Sequence, residues 1–481
     1  MRSTVRNNSG PVYRQLADML ALMIEQQSLR PGTRMPSVRQ LSAQQCVSIP
    51  TALQAYVTLE ARGLVEARPK SGFYVRARLL NRAPQTKKPS GVFKITDFAH
   101  TDPFSSLLSD FGDSELAPLG GAVPSAGLLP GAKLAGIMAT AARRLKTAGN
   151  TYDMPPGALA LRQELARRSL EWGCALSADD FIVTIAATEA LALALRVTCA
   201  PGDTVAVESP TYFGLARMLR ELQLRALPIP MDSRRGMDLD YLKKALGHVR
   251  LSACVVNANY HNPVGSLMPD EHKRHLVAML SERGIPIIED DVYGDLPHTG
   301  PRPRCLKAFD PGGAVILCGS FSKTLAPGYR VGYIAAGNWH AQVLALKCVT
   351  TLGGPTLPTL AVAEFLKTGG YDRYLRSIRQ AYRQQVESTR LAVAENFPAE
   401  TALSHPQGGF LLWCELPIRI DSFALWKQAR QAGISIAPGP LFSPDGSFKN
   451  FIRLNCGYAW DETIERAIRV LGRLIKDSLR R

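Results

Sequence analysis

The sequence predicts an α/β protein in two parts, a small basic helical head and a large body built on a mostly parallel sheet covered by helices. Three observations carry that expectation. At 481 residues the chain is too long for one ordinary core. Its formal charge of +16 is uneven, with 15 Lys+Arg against 4 Asp+Glu in residues 1–94, so most of the excess lies in the first fifth. From residue 119 onward, short β-branched apolar runs alternate with amphipathic segments, as strands buried on both faces alternate with helices.

Composition excludes several classes. An apolar content of 46% with 20% charged residues describes a soluble globular chain. The nine cysteines are scattered, with no C-x-x-C pair and no Cys/His cluster at zinc spacing, so no metal is expected. The start, Met1-Arg2-Ser3-Thr4-Val5-Arg6, lacks the apolar run of a secretory signal. The longest apolar candidate, Ile182 to Ala200, is interrupted by Glu189 and Arg196, so no membrane span is expected either. The expectation is a reduced, cytoplasmic protein.

In the head, residues 1–76, Leu16, Met19, Leu20, Met23 and Ile24 recur at helical spacing. Leu29-Arg30-Pro31-Gly32-Thr33 breaks that helix. Ser37 can cap a short second helix after Pro36, and Ser48 a third from Ile49 to Arg62, ended by Gly63. Pro50 is tolerated there because it lies in the first turn. Leu64–Ala67 and Phe73–Val75 read as short strands around the basic turn Arg68-Pro69-Lys70-Ser71-Gly72.

Helix, helix, turn, helix and a basic hairpin make a winged helix-turn-helix, a module for double-stranded DNA. A small helical protein-docking domain is the blander alternative. The stretch resembles the GntR-type DNA-binding domain in P-S-x-R at Pro36–Arg39, V-S-x-x-T at Val47–Thr51, A-Y-x-x-L at Ala55–Leu59 and the Gly72 wing tip. That resemblance implies that Arg34, Ser37, Arg39, Ser48, Thr51 and Gln54 face DNA, with Lys70 and Gly72 at the wing. The chain departs from the pattern at Ile49, where the family usually has arginine. Residues 77–95 are basic, poor in apolar residues and without periodicity, and read as a flexible linker. Thr96–Phe111 has enough apolar residues for a helix packed on the body, which is placed over residues 96–481.

In the body, Phe181–Ala186, Thr204–Val207, Ala253–Ala258, Pro286–Ile288 and Val315–Leu317 read as parallel strands. Ligands of such sheets sit beyond the carboxyl ends of the strands. Cys318–Gly332, C-G-S-F-S-K-T-L-A-P-G-Y-R-V-G, follows the last run. A lysine walled by apolar neighbours can lose its proton and attack a carbonyl. Ser320, Ser322 and Arg330 supply the hydroxyls and guanidinium fork that a phosphate needs. A phosphate-bearing carbonyl compound held as a Schiff base describes pyridoxal 5′-phosphate (PLP).

The segment resembles the lysine loop of fold-type I PLP enzymes, the aminotransferase group, with Lys323 in the Schiff-base position. The resemblance implies their fold, including a smaller C-terminal α+β subdomain. It also assigns Asp290 in E-D-D-V-Y to the pyridine nitrogen, Tyr293 and Asn262 (in N-P-V-G) to the 3′-oxygen, and Tyr212 to the ring face. Lys323, Asp290 and Tyr293 are the candidate catalytic residues. The amides of Ala187 and Thr188 open a helix that would meet the phosphate, where the family usually has a glycine and two glutamines. Glu189 would repel a phosphate unless it points away. Tyr152, in Y-D-M-P-P-G, is implied to reach the phosphate of a second subunit in a homodimer, and Arg453, in R-L-N, to fork onto a substrate carboxylate. An acidic metal cluster at Glu289-Asp290-Asp291 is the rival to the pyridine assignment, and no further ligand is spaced to complete it.

Head, linker and body together resemble the MocR subgroup of GntR regulators. The implied function is a transcriptional regulator that binds PLP and senses an amino acid, an amine or PLP itself. An active aminotransferase carrying a DNA-binding domain uses the same residues and stays open as the alternative.

Overall fold

The computed structural model describes residues 11–25, 28–29, 33–68, 71–75, 84, 93, 95–96 and 109–480. The chain forms two compact units, Met1–Asn81 and Arg82–Arg481.

The first unit packs α1 (Val12–Glu25), α2 (Val38–Gln45) and α3 (Ile49–Ala61) around Leu16, Leu20, Leu41, Ala55, Tyr56 and Leu59. The start of α2 is a capping box: Ser37 Oγ accepts from Gln40 N at 3.2 Å while Gln40 Oε1 accepts from Ser37 N at 2.9 Å. Ser48 caps α3, and Gly63, at φ 69°, ends it. Strands β1 (Val65–Arg68) and β2 (Gly72–Val75) pair antiparallel, Val65 opposite Val75 and Arg68 opposite Gly72. Tyr56 ties the hairpin to the helices: its ring stacks on Phe73 and its hydroxyl donates to Pro36 O at 2.6 Å. Lys70 lies outside the described residues.

The second unit is built on an eight-stranded sheet. Its strands are β3 (Phe181–Thr184), β4 (Thr204–Ser209), β5 (Arg225–Asp232), β6 (Gly236–Met237), β7 (Ala253–Val256), β8 (Ile287–Asp290), β9 (Val315–Ser320) and β10 (Gly332–Ala335). Their order is β3-β10-β9-β8-β7-β4-β5-β6. Neighbours from β9 to β5 are parallel, whereas β10 runs antiparallel between β9 and β3. Leu191, Leu195, Val205, Val207, Val255, Ile288 and Ile316 fill one side, and Leu227, Ile229, Cys254, Leu276, Ile287 and Val315 another. Buried on both faces, these strands carry no polar alternation, which is why continuous apolar runs marked them.

Strand β5 went unread because Pro228 and Pro230 interrupt it. Ala226 N–H, two residues before Pro228, donates to Thr96 O on the side away from β4, and β6 pairs there only with Met231 and Asp232. The missing proline N–H groups thus fall on the open flank of the strand, where no ladder bond is lost. At the end of the stretch read as a linker, two apolar residues meet the body. Phe93 and Ile95 pack on the body core, Phe93 against Tyr241 and His248, and Thr96 bridges Ala226. The apolar pair in an otherwise polar run is the physical reason; most of 77–95 lies outside the described residues, as do 97–108 of the expected Thr96–Phe111 helix.

A four-stranded antiparallel sheet, in the order β11 (Ala402–Leu403), β12 (Leu411–Glu415), β14 (Phe451–Asn455), β13 (Ala437–Pro438), forms the smaller C-terminal subdomain. It is accompanied by helices Gly370–Asn396, Ser422–Gln431 and Glu462–Arg480. In the last helix Ile464, Ile468, Leu471 and Ile475 form the buried stripe. Among the described residues no helix is long and apolar enough to cross a membrane.

Candidate functional site

The carboxyl end of β8 places three acids in a row, and the fold treats each differently. Glu289 accepts from the amides of Leu306 at 2.6 Å and Lys307 at 3.1 Å; burial, with Asp291 next to it, lifts its carboxyl to about 8. Asp291 is tied to Arg302 and accepts from Asn259 Nδ2 at 3.0 Å. Asp290 keeps Oδ1 fully buried and without a hydrogen-bond partner. Burial first, then the charge of Asp291, push its carboxyl up to about 7, with Lys323 pulling the other way. Among the described residues no acidic cluster could hold a metal ion.

Across from Asp290, Lys323 lies three residues beyond the end of β9, and its Nζ donates to Ala122 O at 2.6 Å. Burial, reinforced by the charges of Arg453 and Arg330, draws its amine down to about 8, while Asp290 opposes the shift. Tyr293 is buried, and burial raises its hydroxyl further above the ordinary range than Arg453 lowers it. The Asn262 side chain interacts with that hydroxyl without reaching hydrogen-bond geometry, leaving Tyr293 Oη unpartnered. Tyr212, raised by burial, shares the charges of Asp290, Arg453 and Arg330. Six of the candidate residues therefore face one another from the carboxyl end of β8, from loops after β4, β7, β8 and β9, and from β14.

Arg453 is fully buried on β14. Its Nη1 donates to Asn262 Oδ1 at 3.1 Å and its Nη2 to Gly120 O, while Nε has no partner. The guanidinium lies 5.0 Å from the Phe442 ring centroid and 5.7 Å from that of Phe213. Burial draws the guanidinium down to about 10, which leaves it charged at neutral pH. No carboxylate among the described residues pairs with it. A guanidinium of this kind has the donor geometry to fork onto a carboxylate.

The other end of the site is built for an anion. Ser320 Oγ donates to Ser322 Oγ at 2.9 Å, and Arg330 Nη1 donates to the same hydroxyl at 3.3 Å. Facing them, helix Ala186–Thr198 opens with the free amides of Ala187 and Thr188. Ala186 sits at φ 60°, the left-handed region that favours the glycine usual in the family. Gly332, at the start of β10, passes so close that a Cβ there would lie 2.6 Å from the Ala186 backbone. Glu189 does not repel an anion here: its carboxylate turns away to Lys347 Nζ at 3.0 and 3.2 Å, to the Thr351 hydroxyl and to Ile185 N.

Tyr152 stands apart, 77% exposed. Sequence reasoning missed Lys347, and it missed Asn257, whose Oδ1 accepts from Asn262 N at 3.0 Å and whose own N–H donates to Glu208. It also missed His261, 3.2 Å from the Glu208 carboxylate, although His261 lies inside the motif that singled out Asn262.

In the head, Arg34, Ser37, Arg39, Ser48 and Gln54 are exposed and Thr51 half-buried. Ser48 Oγ and Thr51 Oγ1 lie 2.8 Å apart, and the Arg34 guanidinium lies 3.8–3.9 Å from where a Gly72 side chain would be. Gly72 itself takes φ 100°, open to glycine alone at the tip of the wing.

A carboxyl with one buried, unpartnered oxygen, a lowered lysine, an unpartnered phenol and an anion seat of hydroxyls, amides and arginine fit PLP group by group. Comparison with known proteins gives the same picture. Residues 125–471 match the family model of aminotransferase class I and II, and residues 12–75 that of bacterial regulatory proteins of the gntR family. The chain is 36% identical to an uncharacterized HTH-type transcriptional regulator, YjiR, of Escherichia coli (strain K12), over 96% of this chain and 98% of that protein. It is 34% identical to a second uncharacterized regulator of that strain, YdcR, over 97% of this chain and 99% of that protein. Among solved structures it is similar to LysN, the alpha-aminoadipate aminotransferase of Thermus thermophilus in complex with N-(5′-phosphopyridoxyl)-L-leucine. The TM-score is 0.73 and the identity 28%, with 79% of this chain and 96% of that one covered. Such a fold and such relatives imply PLP.

Proposed function

We propose, from the premise that this chain belongs to the aminotransferase class I and II family and carries a gntR-family head, that it is a cytoplasmic DNA-binding regulator whose body holds PLP and senses an amine or amino acid. The observation that carries the reading is the pairing of a winged head with a body in which Lys323 and the unpartnered Oδ1 of Asp290 face one space.

Lys323 would hold the aldehyde carbon covalently. Its amine, lowered to about 8, carries an appreciable neutral fraction at cellular pH. Asp290 would sit against the pyridine nitrogen, Tyr293 and Asn262 against the 3′-oxygen, and Tyr212 on the ring face. Ser320, Ser322, Arg330 and the amides of Ala187 and Thr188 would hold the phosphate. Bound PLP supplies an electron sink for bonds at the carbon bearing the amine. Arg453 orients a ligand by forking onto its carboxylate, and the surrounding phenyl rings exclude water from that contact. Tyr152 points outward, which suits its reaching the phosphate of a second subunit in a homodimer. Two heads related by a two-fold axis would then read paired half-sites. The head is taken as residues 1–76 and the body as 96–481.

Turnover as an aminotransferase is the second reading, favoured by the retention of Lys323, Asp290, Tyr293 and Arg453 together. One titration separates the two. Purified protein is loaded with PLP and its visible spectrum followed as amino acids and amines are added. A band that shifts and persists marks a sensor and names its effector; loss of the band, restored by a 2-oxo acid, marks turnover. Lys323→Ala should lack the lysine-dependent band, and a mutant that kept it would refute the assignment of Lys323.

A further inference from the structure

The outward face of α3 carries aliphatic side chains that the head does not use for folding. Ile49, Leu53 and Val57 are 52%, 45% and 43% exposed and share one stripe at i, i+4, i+8, with the exposed Gln54 flanking it three residues before Val57. The opposite face, Ala52, Ala55, Tyr56 and Leu59, is fully buried in the head core. Helix α3 contains neither lysine nor arginine, and its one acid, Glu60, lies in the last turn and accepts from Ala67 N at 2.9 Å. Exposed aliphatic residues at the entering end of a DNA-reading helix need an apolar partner, and the major groove offers one, the 5-methyl group of thymine.

We infer that α3 reads A·T pairs, with Ile49 and Leu53 seated on thymine 5-methyl groups and Gln54 bonded to an adenine edge. The inference rests on the DNA-binding reading of the head and deepens it by naming the bases. An amide side chain matches adenine N6 and N7, and guanine is matched by arginine or lysine, which this helix lacks. Ile49 directly follows the Ser48 cap, so it lies where the first turn of the helix meets the bases. Leu53, one turn on, lies roughly 6 Å further along the axis, a span of about two base-pair steps at 3.4 Å each. Excess positive charge in residues 1–94 and the exposed Arg34 and Arg39 suit the flanking phosphates and commit the face to DNA rather than to protein.

The test uses the full chain. Random-sequence duplexes are enriched on the protein at fixed salt, and the best-bound duplex is resynthesised with deoxyuridine in place of thymidine, which removes only the methyl groups. The expected result is weaker binding by roughly three- to fivefold for each contacted thymine. The double variant Ile49→Ser/Leu53→Ser, its fold checked by circular dichroism, should bind both duplexes with salt-dependent affinity and no longer distinguish them. Equal affinity of the unaltered protein for the two duplexes would overturn the inference, as would enriched sites made of G·C pairs. A variant that changes the oligomeric mass while keeping the thymine preference would make the face a contact between copies of the chain, which also overturns it. Failure of any duplex to bind, even at low salt, would instead remove the DNA-binding reading beneath it.

Discussion

Lys323 and Asp290 are moved from their ordinary values in opposite directions by the same cause, burial, and end near neutrality. The neutral form of Lys323 is the one that attacks an aldehyde, and it grows as pH rises through about 8. The rate of covalent PLP capture by the unloaded protein should therefore climb from pH 6 to about 8 and level off above it. An unperturbed lysine would keep climbing to about 10.4. Stopped-flow absorbance across that range decides the point, since a rate still rising tenfold per unit at pH 9 contradicts a lowered Lys323. Arg453 makes a second prediction. It is a buried cation whose charge no carboxylate among the described residues offsets, so Arg453→Ala should weaken binding of α-amino acids by roughly a hundredfold. Simple amines, which bring no carboxylate, should bind as before, and the ratio of the two spectral titrations reads this directly.

At the scale of elements, the anion seat depends on the start of helix Ala186–Thr198, and that start is held by Glu189, Lys347 and Thr351. Lys347→Met should leave the Glu189 carboxylate, 10% exposed, without its cation, at a cost of about 3 kcal/mol. A lower melting temperature and weaker PLP affinity are expected together, and adding Glu189→Gln should restore much of both. This triad also marks how far the sequence could be read. The strands and the loops after them were legible because a buried parallel strand is a local apolar run, and because Lys323, Ser320, Ser322 and Arg330 fall within one short string. Lys347 was not, because its partner lies 158 positions earlier and each side chain looks ordinary alone. Ala122 O and Gly120 O, which receive Lys323 and Arg453, escaped for the same reason. Strand β5 escaped because prolines on an open flank look like breakers in a one-dimensional pattern.

For the whole molecule, a regulator made of a DNA-reading unit and a ligand-holding unit must obey linkage. If an amine changes DNA affinity by some factor, DNA must change amine affinity by the same factor, typically about 5- to 150-fold. Measuring both equilibria on the full chain should give equal factors. A ligand that shifts the spectrum equally with and without DNA is bound but is not the signal. The body is organised by the antiparallel strand β10, which carries the chain back from the lysine loop between β9 and the edge strand β3 and lays Gly332 against Ala186. Both halves of the anion seat are thus registered by a contact that has no room for a methyl group. The position is invisible to any inventory of ligand-touching groups, yet variants of this chain should seldom accept another residue there. Mutational intolerance at Gly332 would measure how closely two backbones must approach, and would say nothing of the chemistry they frame.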